Sequence, residues 1–341
     1  MNEPEDNLDR IIGAHWNLHI LGAAVRLGIA DHLAEGPRTV VDLAKAVGAN
    51  SANAVGAFLS NAESFGLVRR VEGDRFAETP MLALLRRDGG AYRNIVSMLT
   101  GPGLCRPLEM LHRVVLRGRS HTEEALGQGL WSYYQDNPEE AASFADFMSE
   151  LSGMVADSVL PRYSFSGRNK IIDVGGSNGT FLSRILMEYP DAAGVLFDLP
   201  NVIERARRNI AEQGLAARVE FVGGSFLEEV PEGGDIYLLK SVLSDWDDES
   251  CVRILSRCRD AAPPGTPVVV VDWLYHDDSK SLFDALDLRQ LARVDGKVRT
   301  LPQYESLFES AALDLKRVDR PANGDAAGEW APTTVFETIR R

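Results

Sequence analysis

The sequence predicts an α/β protein: a parallel sheet covered by helices on both faces, preceded by a helical region that carries a small hairpin. Three observations predict it. From Asn169 onward, short apolar runs alternate with helical stretches, as crossover-connected parallel strands require. Residues 90–160 place their apolar side chains at helical spacing, with no strand-like alternation. Residues 38–80 read as two capped helices followed by an alternating hairpin. With 341 residues, 45% of them hydrophobic, the chain is long enough to bury a large core.

The elements follow in order. Residues 11–34 read as helical, broken near Gly28, with apolar side chains on nearly every face. A helix with no polar side must be covered all round, and a second subunit is the expected cover. Thr39 and Ser51 stand where N-caps belong, opening two short helices. Residues 65–76 then alternate around Gly73-Asp74, which marks the hairpin turn. Helix, helix and hairpin make a winged-helix pattern. In residues 90–160, Trp131-Ser132-Tyr133-Tyr134 and the stripe Phe144, Phe147, Met148 and Leu151 have core spacing. Trp131, Phe147 and Met148 are the candidate walls of any substrate cleft there. Beyond residue 169, strands are expected at 170–174, 194–197, 219–222, 236–239 and 267–271, with helices at 180–189, 203–213 and 249–261.

The composition excludes several functions. The net charge is −14, whereas phosphate recognition needs a basic face. The second winged-helix helix, from Ser51 to Ser64, contains no Lys or Arg, so it is a poor reader of a DNA groove. No nucleic-acid partner is expected. No apolar run reaches membrane-spanning length, since Val268 to Val271 ends at Asp272. Three cysteines, Cys105, Cys251 and Cys258, without C-x-x-C spacing, fit neither a disulfide framework nor a zinc site. His15 and His19 stand at i, i+4 without a third ligand nearby, so no metal is expected. Together with an acidic rather than basic N-terminus, this points to a cytoplasmic protein that handles a small molecule.

The chemistry-bearing motif is Asp173-Val174-Gly175-Gly176-Ser177-Asn178-Gly179, set between a strand and a helix. Glycines there permit a tight turn and the close approach of a ligand to the backbone. Asp198 closes the next strand, 25 residues after Asp173, where an acid binds ribose hydroxyls. The tight Gly-Gly-Ser-Asn-Gly loop lacks the spacing of a dinucleotide site, so a single nucleoside is expected.

In these runs the chain resembles the class I S-adenosylmethionine (SAM) methyltransferases. More narrowly, it resembles the small-molecule O-methyltransferases of plant phenolic metabolism and bacterial antibiotic pathways. The likeness spans nearly the whole chain. Beyond the winged-helix region and Asp173 to Gly176, it is carried by residues 196–200, 237–240, 245–249 and 254–258. The resemblance implies a Rossmann-like SAM-binding domain over 161–341, preceded by an all-α dimerisation domain over 1–160 that contains the winged-helix unit. It implies SAM as cofactor, a small-molecule substrate and a homodimer formed through the N-terminal helices. By the same resemblance Gly175, Asp198, Leu199, Ser225, Phe226, Lys240 and Trp246 hold the cofactor. Asp272 is similar to the acid that flanks the family's catalytic base.

Four positions depart from the family pattern. Ser177 replaces a glycine, and Ser225 replaces the acid of Gly-Asp-Phe. Ser244 stands where the general-base histidine precedes Asp-Trp, and Val298 stands where an acid precedes Arg-Thr. Ser244 and Asp272 are therefore the remaining catalytic candidates. A general base supplies about 10²–10⁴ in rate. Proximity supplies effective molarities on the order of 10⁵–10⁸ M and so outweighs the base. Methyl transfer thus survives the loss of the histidine, at least cost for an amine, a ring nitrogen, an electron-rich carbon or an acidic hydroxyl. His276 is a less favoured base, and His112 and His121 are less favoured again. The alternative is a relative that keeps SAM as a fixed positive charge and performs hydroxylation, decarboxylation or cyclisation.

Overall fold

The computed structural model describes residues 3–88, 90–275, 286–321 and 333–341. They fall into two compact units, Met1–Cys105 with Pro138–Phe147, and Arg106–Asn137 with Met148–Arg341. This grouping differs from a division at residue 160. The helix Pro138–Val159 begins in one unit and ends in the other.

In the first unit, the helix Glu3–Arg26 gives way at Gly28, whose φ of 62° is left-handed, to the helix Ile29–Leu33. Glycine adopts that conformation without the steric cost of a Cβ, so the break falls where the sequence places it. Thr39 caps the helix Val40–Ala46 by accepting the Asp42 N–H at 3.1 Å, and Ser51 caps Ala52–Ser64 by accepting the Ala54 N–H at 3.2 Å. Strands β1 (Arg38–Thr39), β2 (Val68–Arg70) and β3 (Arg75–Glu78) form an antiparallel sheet in the order β1-β3-β2. Leu43, Leu59, Leu67 and Phe76 are fully buried in the core of this winged-helix unit. On the helix Glu3–Arg26, by contrast, Leu8, Ile11, Ile12 and Trp16 are all more than half exposed.

The second unit is built on seven strands: β4 (Lys170–Val174), β5 (Ala193–Asp198), β6 (Val219–Gly223), β7 (Ile236–Lys240), β8 (Pro267–Trp273), β9 (Leu313–Asp319) and β10 (Thr333–Arg340). Their order is β6-β5-β4-β7-β8-β10-β9. The first five pair in parallel, and β10 runs antiparallel to both neighbours. Helices Thr180–Glu188, Pro200–Glu212 and Asp248–Ala261 make the crossovers from β4 to β5, β5 to β6 and β7 to β8. Every residue of β7 and β8 is buried, as a sheet covered on both faces demands. Each fully buried valine of Val268–Val271 contributes about 1.5 kcal/mol or more. Cys251 and Cys258 are buried thiols in the same core.

The chain leaves β4 toward β5 on one side and later returns to β7 on the other. Strand order reverses there, which opens a crevice at the carboxyl ends of β4, β5 and β7. The chemistry-bearing residues of the sequence lie at those ends.

Candidate active site

The turn after β4 is shaped by what cannot have a side chain. Gly175 has φ 73°, and a Cβ on it would lie 2.9 Å from Val242 Cγ2 and 3.4 Å from Phe226. A Cβ on Gly176 would lie 2.6 Å from Asp173 Oδ2. Ser177 keeps the left-handed conformation of the glycine that it replaces, with φ 54°. Its backbone still works: the Ser177 N–H donates to Asp198 Oδ2 at 2.8 Å.

That bond ties Asp198, at the end of β5, to the turn after β4. Its other oxygen, Oδ1, accepts the Leu199 N–H at 2.7 Å. Two backbone donors fix the carboxylate, yet a carboxylate has about four acceptor sites, so some remain for a ligand's hydroxyls. Burial pushes its pKa up, while the two N–H groups pull it down. Gly224 N–H donates to the Asp198 carbonyl at 3.0 Å and joins the next loop to it. In that loop Ser225 Oγ accepts the Leu227 N–H at 3.3 Å. Phe226 meets Trp246 edge-to-face, with centroids 5.7 Å apart, so an aromatic wall stands beside Gly175.

Below the turn lies a buried pair of opposite charges. Asp173 is 2% exposed, and its Oδ2 has no hydrogen-bond partner among the described residues. Burial pushes its pKa up to about 7, with the Lys240 charge opposing that rise and Asp198 adding to it. Lys240 is also buried; burial lowers its pKa, against the pull of Asp173, Asp272 and Asp245. Its Nζ donates to Ser152 Oγ at 2.8 Å, and Ser152 donates to the Met148 carbonyl at 2.6 Å. Met148 is thus one helical turn from the lysine's anchor. Trp131 is half-buried, 6.4 Å from the Tyr134 ring. Phe147 is half-buried in the other unit.

The segment after β7 holds the two catalytic candidates. Ser244 is 1% exposed, and its N–H donates to Asp272 Oδ2 at 3.0 Å. Asp272 Oδ1 accepts the Trp273 N–H at 2.8 Å. Burial pushes the Asp272 pKa up to about 6, held down by the hydrogen bonds from Trp273 and Ser244. The geometry brings the Ser244 backbone N–H and the Asp272 carboxylate together. Of the histidines, His276 lies outside the described residues, and His121 is buried with its Nδ1 3.4 Å from Glu124 Oε2.

Three supporting residues are not evident in the sequence. Arg299, fully buried, donates to the Leu243 carbonyl at 2.8 Å, the Trp246 carbonyl at 2.7 Å and Asp248 Oδ1 at 2.9 Å. Gln290 Nε2 donates to Asp245 Oδ1 and, at 3.5 Å, to the Ser244 carbonyl. A Cβ on Gly296 would overlap the Ser244 carbonyl at 2.1 Å, so the backbone itself presses on that segment. No local motif announces these contacts, which join residues about fifty positions apart. The only signal in the sequence is the pair Arg299-Thr300, which marks a place in the family pattern without showing what the arginine holds.

Comparison with known proteins agrees with this geometry. A family model described as an O-methyltransferase domain matches residues 109–314. The chain is 32% identical over 325 residues to the phenazine O-methyltransferase PhzM of Lysobacter antibioticus, covering 95% of each. It superposes on the mitomycin 7-O-methyltransferase MmcR with a TM-score of 0.91 and 30% identity, covering 99% of this chain and 98% of that one. A third similar structure is an O-methyltransferase from neocarzinostatin biosynthesis, NcsB1, in complex with SAM and 2-hydroxy-5-methyl naphthoic acid. Its TM-score is 0.83 at 28% identity, covering 95% of this chain and 96% of that one.

Proposed function

The chain belongs to the O-methyltransferase family, and from that premise we propose that it methylates a small aromatic secondary metabolite at an atom that needs no histidine base. SAM, when bound, supplies a methyl group activated by a sulfonium. The observation that carries the reading is Asp198, held by the N–H groups of Ser177 and Leu199 beside a Gly175 that has no room for a Cβ. Asp198 would take the ribose hydroxyls, and Leu199, Phe226 and Trp246 would flank the adenine. Gly175 and Ser225 would border the cofactor, with Lys240 set beneath it on Ser152. The orphaned, buried Asp173 Oδ2 fits a site completed by a polar ligand. The reaction is tested with SAM and a panel of aromatic acceptors. Methylated product is expected in equal amount to S-adenosylhomocysteine; product formed without S-adenosylhomocysteine would overturn the proposal.

Ser244 and Asp272 set what the acceptor can be. A carboxylate of pKa about 6 accepts a proton from a phenol of pKa about 10 only at a cost of roughly 5 kcal/mol. The pair therefore suits an amine, a ring nitrogen, an electron-rich carbon or an acidic hydroxyl. Orientation by the half-buried walls Trp131 and Met148 carries the larger share of the rate. Asp272 accepts a proton only when ionised, so kcat is expected to rise with pH through about 6 and level off above it. Asp272→Asn should flatten that limb and lower kcat on the order of 10²-fold. A variant that keeps the wild-type pH profile would remove Asp272 from the mechanism.

We place the enzyme in the cytoplasm as a homodimer. The buried thiols of Cys251 and Cys258 suit a reducing compartment. Among the described residues no helix is long and apolar enough to cross a membrane. Leu8, Ile11, Ile12 and Trp16, exposed on one helix, supply an apolar face for a second copy. Light scattering should give twice the chain mass for the wild type and a monomer for Trp16→Glu. A monomeric wild type would exclude this arrangement.

A further inference from the structure

The exposed face of the helix Glu3–Arg26 is not apolar throughout. His15 and His19 lie on it with Leu8, Ile11, Ile12 and Trp16, because positions 8, 11, 12, 15, 16 and 19 follow the three- and four-residue steps of a single helix face. All six side chains are exposed in one copy of the chain. The two imidazoles are neighbours, with ring centroids 4.7 Å apart, and His15 meets Trp16 edge-to-face at 5.9 Å.

A second copy seated on this face buries the imidazoles along with the apolar side chains. Leucine and isoleucine on the opposing seam offer no hydrogen-bond partner to a ring nitrogen, so burying the histidines against them is costly. A shared metal ion removes that cost. Histidines at i, i+4 on one helix face can close on a single ion, and imidazole nitrogen is a ligand that zinc favours. Structural zinc takes four ligands in a tetrahedron. Among the described residues of one chain, no group of three metal-binding side chains occurs. One copy therefore supplies two ligands, and a two-fold axis sets the same patch opposite itself and supplies two more. Glu3, Glu5, Asp6 and Asp9 outnumber Arg10 in the first half of the helix and draw a cation toward it.

We propose that His15 and His19 of two copies form a four-imidazole zinc site on the two-fold axis of the homodimer. The inference rests on the homodimer reading and adds a metal ion to that interface.

Full-length protein, freed of any purification tag and stripped with EDTA, tests this with zinc chloride as the probe. Calorimetry should give one zinc per two chains. In equilibrium sedimentation, added zinc should lower the dimer dissociation constant on the order of 10-fold or more. Cobalt(II) in place of zinc should show the visible absorption of a tetrahedral complex. His15→Asn combined with His19→Asn should abolish binding and hold the dissociation constant at its value in EDTA. The melting temperature of that variant in EDTA should match the wild type, since both side chains are exposed in one copy. A wild type that is dimeric in EDTA and takes up no zinc overturns the site and leaves the homodimer standing. One zinc per chain without a change in association also overturns it, as does a double variant that still binds one zinc per two chains. A wild type that stays monomeric with and without zinc defeats the homodimer reading as well.

Discussion

Asp198→Ala is expected to weaken S-adenosylhomocysteine binding by about 10²–10⁴-fold. Two groups of hydrogen bonds are lost together. The carboxylate no longer accepts from ribose hydroxyls, and hydrogen bonds to a charged acceptor are worth about 1.5–3 kcal/mol each. The N–H groups of Ser177 and Leu199, at 2.8 and 2.7 Å from the carboxylate, also lose their acceptor. The turn after β4 and the start of the helix Pro200–Glu212 are then no longer tied to one another. Two such bonds lost to the ligand give the range stated. Asp198→Asn keeps one acceptor oxygen and should fall between the variant and the wild type. Calorimetry at constant ionic strength measures all three proteins. Binding within about fivefold of the wild type in Asp198→Ala would mean that the nucleoside lies elsewhere, and the assignment of the whole crevice would go with it.

The residues legible in the sequence are those whose roles are local. A strand, a turn and a helix follow one another over 170–188, so Gly175 and its neighbours announce themselves by order alone. Asp198 is legible because a parallel strand pair fixes the distance between successive carboxyl ends. Thr39 and Ser51 cap helices within three residues of themselves. Ser177 is legible as a departure, but its consequence is not. Serine there replaces a glycine, yet the backbone keeps the left-handed turn and its N–H still reaches Asp198. What stays hidden depends on folding across distance. Lys240 and Ser152 lie 88 positions apart, and Gln290 and Asp245 lie 45 apart. The antiparallel insertion of β10 between β8 and β9 carries no signature in any single strand.

The largest stability effect belongs to Arg299, a residue outside every cofactor motif. Arg299→Leu is expected to cost about 2–5 kcal/mol, because it takes a charged donor from two backbone carbonyls. The side chain is 0% exposed and donates to two backbone carbonyls, Leu243 and Trp246, at the two ends of the short turn after β7. It also grips Asp248 at 2.9 Å, the first residue of the helix Asp248–Ala261. Leucine fills part of the volume but offers no donor, so both carbonyls lose their arginine partners. By scanning calorimetry the midpoint should drop on the order of 10 °C. Arg299→Lys retains the charge without the planar fork, reaches one carbonyl rather than two, and should lie between. The same loss reaches the chemistry, since Ser244 and Trp246 are carried by the segment that Arg299 clamps. At a temperature where the variant is still folded, its affinity for S-adenosylhomocysteine should fall through Trp246 while Asp198 remains intact. A variant that melts within about 2 °C of the wild type would show that the 243–248 segment is held by the sheet beneath it, with the arginine merely filling space.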